Sequence, residues 1–188
     1  MAKLGVVVSS VREQRAGSAI ADWFFGVCQA ERSFEPVLLD LKTINLPMLS
    51  EPEHPRLKKY SQPAVLAWSA QVEAMDAFAF VTPEYNHGTP PALINALDTL
   101  YQEWNYKPAG LVSYGGVSAG LRSAAMTKSI LTTLKVVPIV EAVAIPTFTT
   151  HMDKATGRFT GSEGLERSAQ TMLKELARWT EALRTLRP

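Results

Sequence analysis

The chain has 188 residues, 46% hydrophobic and 20% charged, a balance that suits one soluble domain with a sizeable core and excludes a largely disordered or fibrous chain. Nineteen basic residues against eighteen acidic leave a net charge of +1, so no global field favours nucleic acid or an anionic membrane as a partner. The apolar run in MAKLGVVVSS is too short for a signal peptide, and VVPIVEAVAI, interrupted by Pro138 and Glu141, is too short to span a bilayer. A cytoplasmic protein with a single domain over residues 1–188 is therefore expected. Cys28 is the only cysteine, which rules out an internal disulfide, and its place on an apolar helix face predicts a buried structural thiol.

Along the chain, Leu4 and Val6–Val8 form a continuous apolar run, the pattern of a strand covered on both faces. Ile20, Trp23, Phe24, Val27 and Cys28 then recur at helical spacing, in a helix ending near Glu31, and FEPVLLDL follows as a second strand. Residues 42–62, with three prolines and several charges, predict a long loop of the kind that carries function or an interface. A helix over Ala64–Met75 leads to a third buried strand, AFAFVTP, and then to a helix that Pro90 and Pro91 open and that runs through Leu93, Leu97 and Leu100. AGLVSYGG is a fourth strand, a helix spans about Ala119 to Leu134, VVPIVEAVAI is a fifth strand, and Leu165, Ala169, Met172, Leu173, Leu176 and Leu183 mark one stripe of a last helix. Strands alternating with helices imply right-handed crossovers and an open parallel sheet with helices on both faces, a doubly wound α/β domain.

Ligands of such sheets bind beyond the carboxyl ends of the strands. Three loops leave those ends. The first, SSVREQRAGS, brings two hydroxyls, Arg12 and Arg15 to a helix start at Gly17 and Ser18, where free amides and the helix dipole favour an anion. Alternatively, Ser18 merely caps the helix and both arginines are solvated. The loop is neither a Walker A loop nor G-x-G-x-x-G, and although Asp40 ends the second strand where a ribose-binding acid stands in dinucleotide folds, the accompanying glycines are missing. In the second loop, TPEYNHGTPP, Thr89 is expected to cap the helix, while Asn86 and Gly88 tolerate backbone angles that turn amides outward. In the third, SYGGVSAG, Gly115 and Gly116 allow close approach to a flat ligand.

These residues resemble the NADPH-dependent FMN reductases of flavodoxin-like fold, which include quinone, azo-dye and chromate reductases. The resemblance covers most of the chain and rests on S-x-R at Ser10 and Arg12, PEYN at Pro83–Asn86 with NALD at Asn95–Asp98, and GGVSAGLR at Gly115–Arg122; Ser9 stands where many relatives have glycine. It implies a five-stranded parallel sheet of order 2-1-3-4-5. It implies that Ser10, Arg12 and the backbone around Gly17 and Ser18 hold the FMN phosphate, with Arg15 as the alternative cation. It further implies that Pro83, Glu84, Tyr85 and Asn86 line the isoalloxazine, with Ser113, Gly115 and Gly116 nearby. The chemistry then belongs to FMN, reduced by NADPH or NADH and reoxidised by a quinone, azo compound, free flavin or metal oxyanion in a ping-pong cycle, with no catalytic side chain and no metal. A flavodoxin-type single-electron carrier and a flavin-binding regulatory protein are the alternatives. Family members are dimers, so a homodimer or tetramer is expected, with Tyr101, Trp104 and Tyr106 as partner anchors or, equally, as local packing. His87 is read as a turn residue, with proton transfer as the alternative; His54 and His151 show no ligand spacing.

Overall fold

The computed structural model describes residues 1–187. In chain order its main elements are β1 (Ala2–Val8), α1 (Gly17–Glu31), β2 (Phe34–Asp40), α2 (Leu41–Ile44), α3 (Pro63–Glu73), β3 (Ala77–Pro83), α4 (Pro91–Asp98), β4 (Pro108–Tyr114), α5 (Leu121–Thr133), β5 (Val137–Ile145) and α6 (Glu163–Leu183). All five strands pair in parallel in the order β2-β1-β3-β4-β5. Strand order reverses between β1 and β3, the position at which sheets of this kind have their ligand crevice, beyond the carboxyl ends of the strands.

The period-two alternation of buried strands divides the core into two layers. On one face Leu4, Val6, Val8, Ala77, Ala79, Val112 and Tyr114 meet Ile20, Phe24 and Cys28 of α1 and Met172, Leu173 and Leu176 of α6. On the other, Val7, Phe78, Phe80, Ala109 and Leu111 meet Val65, Trp68 and Val72 of α3, Leu93 and Leu97 of α4, and Leu131 of α5. Burial pushes the Cys28 thiol up to about 12, so it stays protonated as an apolar packing group.

Three sequence expectations are corrected here. Trp104 is not a partner anchor: it is fully buried, its ring 4.8 Å from that of Phe78 and 5.9 Å from that of Trp68. Tyr101 and Tyr106 are half-buried, with Arg56 over the first ring and Lys135 over the second. Residues 42–62 are not all loop, since α2 and a 3-10 turn at Pro55–Leu57 lie within or against them. Their course is fixed by Asn95 of the NALD motif, whose Nδ2 donates to the Pro47 carbonyl at 2.9 Å while its Oδ1 accepts from the Leu49 amide at 2.8 Å. Thr89 does not cap α4, because Pro90 is the capping residue and Pro91 the first helical one; the Thr89 hydroxyl instead donates to the Ser123 carbonyl at 3.1 Å and pairs with Thr127 at 2.9 Å. A proline lacks the amide that a cap would satisfy, so the hydroxyl is free to join α4 to α5.

Candidate cofactor site

The first loop ends in an uncapped helix. Ala16 is the N-cap of α1, no side chain caps it, no acidic residue lies in the first turn, and the first intrahelical bond runs from the Ile20 amide to the Ala16 carbonyl at 3.1 Å. The amides of Gly17, Ser18 and Ala19 are thereby left as donors, at the positive end of the dipole. Ser18 does not cap; its hydroxyl donates back to the Arg15 carbonyl at 3.4 Å.

The two arginines separate cleanly. Arg15 Nη1 donates to Asp40 Oδ1 at 2.8 Å and to the Ser10 carbonyl at 2.8 Å, and its Nη2 meets Asp40 Oδ2. Both partners are largely buried, so Arg15 braces the loop against the end of β2, and Asp40 serves that brace and caps α2 through the Lys42 amide. Arg12 is exposed and, among the described residues, its side chain makes no ion pair or hydrogen bond. Ser9 is fully buried, with a hydroxyl that has no partner among the described residues.

In the second loop Tyr85 and Gly88 exchange backbone hydrogen bonds at 3.0 and 2.9 Å around Asn86 (φ 50°) and His87 (φ 65°), the two left-handed residues of a type I′ turn. The positive angles therefore fall on Asn86 and His87 rather than on Asn86 and Gly88. Among the described residues the Asn86 and His87 amides have no partner. Glu84 reaches the start of α5, accepting from the Arg122 amide at 3.1 Å and from Arg122 Nη1 at 2.8 Å. Desolvation pushes its carboxyl up, but the hydrogen bonds from Arg122, helped by Ser118, prevail and hold it below the usual value. Glu84 thus fixes the second loop to the third, and Tyr85 fixes it to the first, its hydroxyl 2.7 Å from Ser10 Oγ.

The third loop is held by a fourth segment that the sequence did not reveal. Thr147 and Phe148, just past β5, donate their amides to the Gly116 and Gly115 carbonyls at 2.8 and 3.2 Å. A Cβ on Gly120 (φ 75°) would lie 2.7 Å from the Tyr114 carbonyl oxygen, so a side chain there is barred. Gly116 faces open space, and without a side chain it leaves the backbone there open to close approach. Ser113 is buried beneath this loop. A concavity lies elsewhere, a trench of about 910 Å³ between the outer face of α1 (Asp22, Trp23) and the arm joined by the Met152–Phe159 bridge. Its lining includes Ser18 and Ala19 but nothing from the second or third loop, and it lies away from the switch point between β1 and β3.

An open parallel sheet of this order, with uncapped helix amides at one end of its crevice and turn amides at the other, defines a mononucleotide-binding protein of flavodoxin-like fold. The sequence matches the NADPH-dependent FMN reductase family over residues 2–150, and the chain belongs to that family. It is 39% identical over 148 residues to an NAD(P)H-dependent FMN reductase of Schizosaccharomyces pombe, covering 77% of this chain and 74% of that one. It is 30% identical over 154 residues to an NAD(P)H-dependent FMN reductase of Nectria sp, covering 78% and 76%. Among solved structures it resembles in fold the flavoenzyme NAD(P)H:(acceptor) oxidoreductase FerB of Paracoccus denitrificans, with a TM-score of 0.75, 22% identity and 97% and 98% coverage. The protein is an NAD(P)H-dependent oxidoreductase with FMN as its cofactor. The unpartnered amides, the unpaired Arg12 and the open approach at Gly116 fit an anionic tail and a flat ring. No described helix is long and apolar enough to cross a membrane.

Proposed function

We propose that the cofactor lies in the crevice beyond β1, β3 and β4, with its phosphate on the first loop and its ring between the second and third, and that the enzyme works in the cytoplasm as one domain. The observation that carries this reading is the uncapped start of α1 beside the unpaired Arg12. Arg12 and the Gly17 and Ser18 amides hold the phosphate, with the Ser10 hydroxyl beside them. Main-chain groups of Pro83–Asn86 and of Gly115 and Gly116 orient the ring, with Ser113 supporting the floor beneath. The Glu84 and Tyr85 side chains hold their loop to its neighbours, and Arg15 holds the first loop in shape.

When bound, FMN supplies hydride acceptance and electron delivery, so the chain needs to place the ring and leave one face open. We place NADPH or NADH and then the acceptor, a quinone, azo compound, free flavin or metal oxyanion, on that face in turn, which gives ping-pong kinetics. Leu121 and Met126 expose an apolar face of α5, and Met126 Sδ accepts from the Thr89 amide at 3.4 Å, so this face adjoins the ring loop. A second copy covers it, giving a dimer or a tetramer.

The test is anaerobic mixing of the FMN-reconstituted protein with NADPH and, separately, NADH. Loss of the flavin absorbance within seconds with either donor is expected. A solution that stays yellow with both overturns the enzyme reading and favours a single-electron carrier.

A further inference from the structure

One side chain at the crevice plays no part in the reading above. Tyr114 ends β4 on the α1 and α6 face of the sheet, 4% exposed, its ring held edge-on against Phe148 at 5.4 Å. A Cβ built on Gly17 would lie 2.6 Å from the Tyr114 hydroxyl oxygen, 3.5 Å from its Cζ and 3.6 Å from the Cβ of Ser10. The phenol of a strand two places away in the sheet therefore occupies the volume that a side chain at the first position of α1 would need. The phenol titrates above its usual range because burial disfavours its charged form and Tyr85 adds to that, while the nearby Ser10 hydroxyl and the charges of Arg15 and Arg12 oppose it. Ser10 in turn is 2.7 Å from the Tyr85 hydroxyl. Three hydroxyls, from the first loop, the second loop and the end of β4, thus gather beside the amides that open α1.

We propose that Tyr114 is a positioning residue for the phosphate loop: its hydroxyl, lodged where Gly17 lacks a side chain and set against Ser10, fixes the height at which the α1 amides and the Ser10 hydroxyl meet the phosphate. The inference rests on the placement of the phosphate proposed above. It explains a glycine at position 17 by a close approach, since Gly17 has no positive φ to account for it. It also gives the phosphate end a built height rather than one left to a mobile loop, and small errors in such a height weaken several charge-assisted bonds at once.

The experiment compares FMN with riboflavin, which shares the ring and lacks the phosphate, by fluorescence titration of the apoprotein. Tyr114→Phe keeps the packing and removes the hydroxyl, so it should raise the FMN dissociation constant about tenfold, because the displaced α1 amides and Ser10 hydroxyl each bond the phosphate less well, and leave that of riboflavin within about twofold. A purely structural role would weaken both flavins equally, and that result, or an unchanged FMN constant, overturns the proposal. Gly17→Ala should weaken FMN at least about tenfold through overpacking, and in combination with Tyr114→Phe should bind within about threefold of Tyr114→Phe alone, because only the hydroxyl blocks the new methyl. Effects that simply multiply would also overturn it. If the unaltered protein fails to prefer FMN over riboflavin, the phosphate placement itself falls, and the proposal with it.

Discussion

The two ends of the crevice are built from different material. The end proposed to hold the phosphate is shaped by side chains: Arg15 ties the first loop to Asp40, and the hydroxyls of Ser10, Tyr85 and Tyr114 gather against Gly17. The end proposed to hold the ring is shaped by backbone: a type I′ turn at Tyr85–Gly88 and a glycine loop held by the Thr147 and Phe148 amides. An anion needs fixed charge and directed donors, whereas a flat ring needs edges of main chain and nothing protruding. It follows that side-chain truncation should be felt most at the first end and added side chains most at the second.

The largest effect is expected at the ring end. Gly120→Val puts a branched side chain at φ 75° with its Cβ 2.7 Å from a carbonyl oxygen, and should cost about 2–5 kcal/mol of stability in denaturant unfolding. Arg12→Ala should weaken FMN binding by roughly one to two orders of magnitude, since a hydrogen bond to a charged group is worth about 1.5–3 kcal/mol. Because Arg12 is exposed and unpaired, its melting temperature should not move; a fall in melting temperature without a loss of affinity would assign it to the fold instead.

Glu84→Gln, which keeps the shape of the ring-end brace and removes its charge, should cost about 0.5–1.5 kcal/mol at pH 7 and change FMN affinity less than about threefold. Its pH dependence has a definite sign. The folded-state value of Glu84 lies below its ordinary 4.5, so its contribution is fully present above about pH 4.5 and is lost as pH falls through the lower folded value. The stability gap between the original and variant proteins, followed by urea unfolding, should therefore close on acidification; a gap that widens would contradict the brace. The smallest effect belongs to His87→Gly. At φ 65° glycine is unstrained, so stability should stay within about 0.5 kcal/mol and flavin reduction by NADPH should be unchanged. A large fall in that rate would give His87 a role in proton transfer.

How much of this was legible in the residues divides along the same line. The strands AFAFVTP and AGLVSYGG were readable because burial on both faces leaves a continuous apolar run, and the stripe from Leu165 to Leu183 because burial of one face imposes the helical period; the observed bounds differ from the expected ones by one or two residues at most ends. The order of the sheet came with the resemblance to a known family and not from periodicity, which is blind to which strands are neighbours. Partners could not be read where contact depends on that order. Arg15 and Asp40 are 25 residues apart and meet only because β2 lies beside β1. Tyr114 reaches Gly17 across the width of β3, and no local signal marks it. Trp104 was ambiguous for a related reason, since an aromatic in a short loop reads alike whether it faces a partner or, as here, the Phe78 ring.

The central claim is where the flavin lies, and a crystal structure of the protein with FMN tests it most directly. The expected density has the phosphate against Arg12 and the Gly17 and Ser18 amides, and the ring between Pro83–Asn86 and Gly115–Gly116. Flavin density in the trench between α1 and the Met152–Phe159 arm, with the crevice filled by solvent, would contradict it.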